Sequence, residues 1–187
     1  MGAVPQSPEN LAPDPWVGRF AALVRPGGTV LDLASGAGRH ARLFLERGHS
    51  VVALDRTVTA LQPMAGRKGL EIVEADIEAG PWPLDGRTFD AIVVVNYLHR
   101  PLMTQLAESL NPGGVLIYRT FAVGNERFGK PNNPDFLLRP NELLDCFAGK
   151  LEVIAYEAGE IAEPKPAIIQ RICAIKRSGV LPYRLPE

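Results

Sequence analysis

The stretch that decides the fold is Gly28-Thr-Val-Leu-Asp-Leu-Ala-Ser-Gly-Ala-Gly-Arg-His-Ala41. Val30, Leu31 and Leu33 make a short apolar run rich in branched residues, the pattern of a buried strand. The run passes straight into Ser35-Gly36-Ala37-Gly38, and the spacing of Ala41, Leu43, Phe44 and Leu45 beyond it is helical. Strand, glycine turn and helix in that order let a ligand lie against bare backbone while the first N–H groups of the helix point at it. An ordinary tight turn has the same outline, so the flanking residues must decide between them.

Gly36, Gly38 and Ala41 also satisfy the Gly-x-Gly-x-x-Gly/Ala pattern of dinucleotide-binding domains. Asp32 argues against a dinucleotide. It stands at the carboxyl end of the strand, where its charge opposes a pyrophosphate and favours an ammonium or sulfonium cation. Val51 to Leu54 form a second buried strand ending at Asp55, which follows Asp32 at about the interval that a helix and two turns occupy between adjacent parallel strands. An acid at that tip is placed to accept both hydroxyls of a ribose. In the plainer reading it caps the segment that begins at Thr57 and that Pro63 keeps short.

Upstream, Asp14 and Pro15 are a helix start, and Trp16, Val17, Phe20, Ala21, Leu23 and Val24 supply an apolar face as far as Pro26. Downstream, Leu70 to Glu74 reads as a third strand. Phe89 to Val95, apolar on both faces, reads as the middle of a parallel sheet. Ligands in open α/β sheets lie beyond the carboxyl ends of the strands, so Asn96, Tyr97 and His99, directly after that strand, are the catalytic candidates. Asn111-Pro112-Gly113-Gly114 turns the chain into a fifth strand, Val115 to Phe121. Residues 122–138, with Phe128 and Phe136, are too irregular for helix or strand, and within them Gly124 to Asp135 suits a lid over the site, a solvated connector being the plainer alternative. A helix through Leu143, Leu144 and Phe147 follows, then two closing strands, Leu151 to Glu157 and Ala167 to Lys176, expected as antiparallel neighbours.

These elements specify a doubly wound, mostly parallel, seven-stranded Rossmann-like α/β sheet with a C-terminal antiparallel hairpin. With 187 residues and 46% hydrophobic content there is material for one core. The expected division is an N-terminal arm over 1–13, a ligand-binding domain over 14–177 and a tail over 178–187. A formal charge of −1, from 20 basic and 21 acidic residues, gives no net pull toward a polyphosphate, so nucleic acid is disfavoured as the main partner. Cys146 and Cys173 read as free thiols in the core. No metal-ligand set is read from the sequence. Without a leader or an apolar run of spanning length, a cytoplasmic monomer or homodimer is expected.

The stretch Val30 to Ala41 resembles motif I of the class I S-adenosylmethionine (SAM) methyltransferases, whose Asp-x-Gly-x-Gly-x-Gly form it matches except at Ala34. Pro112-Gly113-Gly114 before a strand is a second point of resemblance, and the likeness runs from Trp16 to about Lys176. It implies SAM as cofactor, with Asp76 accepting from the adenine amino group and the backbone of Ile77 meeting the ring. The cofactor-binding set it implies is Asp32, Ala34, Ser35, Gly36, Gly38, Asp55, Arg56, Asp76, Ile77 and Asn96. Phe136 to Leu143, paired with the strand from Leu151, looks like the tellurite-resistance and thiopurine-type branch, whose members methylate small or inorganic acceptors. The absence of an Asn-Pro-Pro-Tyr or Asp-Pro-Pro-Tyr run after the fourth strand counts against an adenine-methylating nucleic-acid enzyme. A soft nucleophile would need little beyond alignment, whereas a hydroxyl acceptor would call on His99 as base. A SAM-binding interaction subunit without catalysis, or a small NAD-binding module, remains an open alternative.

Overall fold

The computed structural model describes residues 12–179 and Pro186. Residues 1–11 of the expected arm and most of the expected tail lie outside the described residues. Seven strands form one sheet in the order β3-β2-β1-β4-β5-β7-β6. They are β1 Thr29–Leu33, β2 Ser50–Asp55, β3 Leu70–Glu74, β4 Phe89–Val95, β5 Leu110–Phe121, β6 Glu152–Ile161 and β7 Ala167–Ile175. The first five run parallel, and β7 pairs antiparallel with both β5 and β6. Among the described residues four α-helices cover the sheet: α1 Pro15–Phe20, α2 Arg39–Glu46, α3 Leu102–Glu108 and α4 Glu142–Phe147.

The helices divide between the two faces, as a doubly wound sheet requires. Trp16, Val17 and Phe20 of α1 and Phe44 of α2 pack with Val30, Val51, Val93 and Ile117 on one face. Leu106 of α3 and Leu143 and Phe147 of α4 pack with Leu31, Ile92, Leu116 and Ile172 on the other. Because side chains alternate along a strand, Val30 and Leu31 enter opposite cores. Every residue of β4 is buried, which follows from its place fourth among seven strands. At its amino end Asp90 accepts from Thr29 N–H (2.8 Å), Arg25 and Asn111 Nδ2 (2.8 Å). Burial alone would raise the Asp90 pKa, and these hydrogen bonds hold it below its ordinary value. This staple lies at the opposite edge of the sheet from the carboxyl ends of the parallel strands.

Several expected boundaries move. The first helix ends at Phe20 and continues as a 3₁₀ turn, Ala21–Leu23. The fifth strand begins at Leu110, not Val115: Asn111 to Gly114 form a bulge within it, seen as a register jump from Phe89↔Leu110 to Ala91↔Val115. Residues 122–138 are more ordered than their composition implied, holding 3₁₀ turns at Asn125–Phe128 and Pro134–Phe136 and a bridge between Ala122 and Leu138. Asn125 stitches this segment down, its Nδ2 donating to the Pro131 carbonyl (3.0 Å) and its Oδ1 accepting from Ile168 N–H (3.2 Å). The hairpin is longer than expected because β6 stays paired to β7 as far as Ile161↔Ala167. Both cysteines are free, but only Cys173 is fully buried, Cys146 being half-buried within α4.

Candidate active site

The parallel strands deliver their carboxyl ends to one rim, and two cavities open there. The smaller, about 350 Å³, is lined by Ala34, Asp55, Asp76, Ile77, Tyr97 and Phe136 among others. The larger, about 490 Å³, is walled by Asp14, Arg39, Asn96, Arg119, Phe128 and Lys165 among others. Adjacent residues Asn96 and Tyr97 therefore face different cavities.

The glycine turn is held from below. Asp32 is only 2% exposed, and its Oδ2 accepts from Ala41 N–H (2.9 Å) in the first turn of α2, so its charge meets the positive end of that helix. His40 sits beside it, with Nδ1 3.7 Å from Asp32 Oδ1. Its Nε2 accepts from the Asp14 N–H (3.2 Å), which places the ring hydrogen on Nδ1, toward Asp32. The two motif glycines have separate duties. Gly38 has φ +73°, and a Cβ there would come within 2.7 Å of Leu61 and 2.9 Å of Met64, so its lack of a side chain serves packing. Gly36 has φ +54°, and a Cβ there would project into open space. Ala34 shares the left-handed conformation at φ 53°. Ser35 is buried, and its hydroxyl has no partner among the described residues.

Asp55 closes the turn from the β2 side. Its Oδ2 accepts from Gly36 N–H (2.8 Å) and its Oδ1 from Thr57 N–H (3.1 Å), so it caps the Thr57 segment as well as reaching the glycine turn. Each carboxylate oxygen keeps further acceptor capacity. Arg56 lines the same cavity. Asp76 Oδ1 accepts from Glu78 N–H (3.0 Å) and Ala79 N–H (3.2 Å), an Asx turn that presents Ile77 at the cavity wall. The Tyr97 hydroxyl donates to Glu78 (3.1 Å). Burial, then that carboxylate, raises the Tyr97 pKa far above the phenolic range, so the side chain is a neutral wall with its proton committed.

His99 lines neither cavity. Its carbonyl accepts from Leu102 N–H (3.1 Å) at the start of α3. Of the three catalytic candidates only Asn96 borders the larger cavity. It holds φ 59°, and its Oδ1 accepts from Arg119 Nη1. Arg119 and Asp14 escaped the sequence reading. The signal available for Arg119 was a lone charge inside the apolar run Val115 to Phe121, near the strand's carboxyl end. Asp14 was read as a cap, and it is one, accepting from Trp16 N–H (2.9 Å). Its other oxygen lies 3.6 Å from Arg119.

Residues 30–114 match the model of a family described as a methyltransferase domain. Over 103 residues, 52% of this chain, the sequence is 34% identical to a malonyl-[acyl-carrier protein] O-methyltransferase of Salmonella typhimurium; the match covers 40% of that protein. In fold, TehB from Haemophilus influenzae superposes with a TM-score of 0.69 at 22% identity, over 86% of this chain and 61% of that one. A Burkholderia thailandensis 1,6-didemethyltoxoflavin-N1-methyltransferase, crystallised with its acceptor and S-adenosylhomocysteine, superposes with a TM-score of 0.68 at 22% identity, over 91% of this chain and 80% of that one. The described residues have the fold of the class I methyltransferases, and among them no helix is long and apolar enough to cross a membrane.

Proposed function

We propose that the chain is a SAM-dependent methyltransferase acting on a small-molecule acceptor. The observation that carries this reading is the pairing of Asp55, at the tip of β2, with the open space over Gly36, in which a Cβ would take up the room of a ligand. Asp55 would hold the ribose hydroxyls, Asp76 and Ile77 the adenine, and the Ala34 to Gly36 backbone the amino-acid end of the cofactor. Asp32 acts one layer below, fixing the start of α2 so that the turn keeps its shape. Bound SAM supplies an electrophilic methyl carbon on a sulfonium, and transfer joins the acceptor's nucleophile to that carbon while the sulfur keeps the electron pair of the broken bond.

The chain's own contribution is alignment and exclusion of water. The larger cavity is the acceptor side, and about 490 Å³ suits a small molecule, not a macromolecular surface. Residues 122–138 serve as a lid: Phe128 borders the larger cavity and Phe136 the smaller, so one segment covers both. With His99 outside the cavities and Tyr97 committed to Glu78, no side-chain base is assigned. A nucleophile already carrying its lone pair at neutral pH is the fitting acceptor type.

Titration calorimetry with S-adenosylhomocysteine and with NAD tests the reading. S-adenosylhomocysteine should bind and NAD should not. Asp55→Ala should weaken binding by about 2 kcal/mol or more, roughly thirtyfold, through two lost charge-assisted hydrogen bonds. Binding unchanged within about twofold would return Asp55 to capping alone, and tighter binding of NAD would overturn the methyltransferase reading.

A further inference from the structure

Among the charged groups outside the cofactor side, Arg119 is the least settled. It is only 6% exposed, at the floor of the larger cavity. Its close polar partner is the neutral Asn96 amide, with the Phe121 ring 5.6 Å away. The one carboxylate within 4 Å among the described residues, Asp14, stands off at 3.6 Å and has its other oxygen engaged by Trp16 N–H. Burial lowers the Arg119 pKa and Asp14 only partly restores it, while Arg39 and Arg171 add positive potential from two sides. Arg171 is neutralised by Glu157 and lies over the Trp16 ring. Arg39 lines the cavity.

The imbalance continues outward. Lys130, from the lid segment, and Lys165, from the β6–β7 turn, are exposed, line the same cavity and form no ion pair among the described residues. Arg39, Arg119, Lys130 and Lys165 thus face two lining acids, Asp14 and Glu163. The whole chain is balanced at 20 basic against 21 acidic residues, so this excess is local. The smaller cavity has the reverse polarity, with Asp55, Asp76 and Glu78 against Arg56. Two adjoining cavities of opposite sign sort their ligands. Phe121 and Phe128 add flat apolar walls to the cationic one.

We propose that the larger cavity takes an acceptor carrying a carboxylate on a small aromatic or similarly flat apolar body, its anionic group held between Arg119 and the lysine rim. This rests on the reading of that cavity as the acceptor side. The anion completes the coordination that Asp14 leaves unfinished, and the ring stacks between the phenylalanine walls. A guanidinium–carboxylate contact in such a half-buried site is stronger than one in open water.

Ligand-observed NMR on the full chain saturated with S-adenosylhomocysteine tests this, using benzoate as probe and benzamide and benzylamine as its neutral and cationic counterparts. Benzoate should bind at millimolar concentration or below, with benzamide about tenfold weaker and benzylamine silent. The surface double variant Lys130→Glu/Lys165→Glu, which leaves the core untouched, should lose about tenfold in benzoate affinity while holding S-adenosylhomocysteine within about twofold. Equal binding of benzamide, no effect of the double variant, or no benzoate binding would overturn the proposal. So would benzoate competing with S-adenosylhomocysteine, which would assign the cations to the cofactor's own carboxylate. Failure of S-adenosylhomocysteine to bind would instead remove the methyltransferase reading, and the benzoate–benzamide comparison on the ligand-free chain would still report the cavity's charge preference.

Discussion

Replacing Glu142 by Gln should expose how the carboxyl end of the 122–138 segment is anchored. Glu142 is 6% exposed, at the start of α4. Its carboxylate receives Arg100 Nε (2.6 Å) and Nη2 (3.0 Å), the Arg139 N–H (2.7 Å) and Arg139 Nη2 (3.2 Å). The same Arg100 guanidinium donates to the carbonyls of Asp135 (2.7 Å) and Leu137 (2.8 Å), tying the turn after β4 to the end of the 122–138 segment. Burial opposes the charge, but Arg100 and Arg139 prevail and pull the Glu142 pKa from 4.5 down to about 2. A shift of that size is worth about 3 kcal/mol, and because Arg100 is 32% exposed, solvent screening brings the expected contribution to about 2 kcal/mol. A carboxylate whose pKa is lower folded than unfolded stabilises the fold fully above the unfolded value. The contribution then falls away as pH drops from about 4.5 toward 2. Urea unfolding followed by circular dichroism should place Glu142→Gln about 2 kcal/mol below the wild type near pH 7 and less than half as far below it near pH 3. A gap that stays constant across that range would refute the assignment of the stabilisation to the Glu142 charge.

The two motif glycines should respond in opposite ways. Gly36→Val should abolish S-adenosylhomocysteine binding in calorimetry with only the stability loss of its φ of +54°, whereas Gly38→Val should lower the unfolding free energy by about 3 kcal/mol or more through its added clash with Leu61 and Met64. Asn96→Ala should destabilise by about 2 kcal/mol, from left-handed strain at φ 59° and the lost acceptor for Arg119. Asn96→Gly should recover the strain share, and equal losses in the two variants would place the whole effect on the Arg119 contact.

Local pattern made most of the sheet legible. β1 to β4 were bounded by the alternation and branching of their own residues, and Asp55 was placed by the distance a helix needs between parallel strands. The misplaced start of β5 came from reading Pro112-Gly113-Gly114 as a turn, when pairing with β4 on one side and the approach of Lys176 on the other carry the strand through it as a bulge. On the site, Gly36, Asp55, Asp76 and Asn96 stand at the strand ends and turns where chain position leads one to expect them. Arg119, Asp14 and Lys165 could not be singled out, because what joins them is a cavity assembled from segments remote in sequence. His99 lines neither cavity, because a turn residue's position along the chain does not give the direction of its side chain.

The two cavities differ in where along the chain they come from. All but one of the residues lining the smaller fall between Ala34 and Tyr97, the compact β1-to-β4 unit, whereas the larger joins Ala12 to Pro15 with Arg39 and with segments as distant as Ala167. Beside the core packing of Trp16, Val17 and Phe20, its inner wall is tied by few hydrogen bonds, among them the Asp14 N–H to His40 and the Trp16 indole to the Ile172 carbonyl (3.2 Å). A sub-global opening that lifts α1 away would therefore dissolve one binding site and spare its neighbour. Hydrogen exchange should find the backbone amides of α1 opening at lower free energy than those of β1 and β2, so that the smaller cavity is complete in states where the larger has yet to exist.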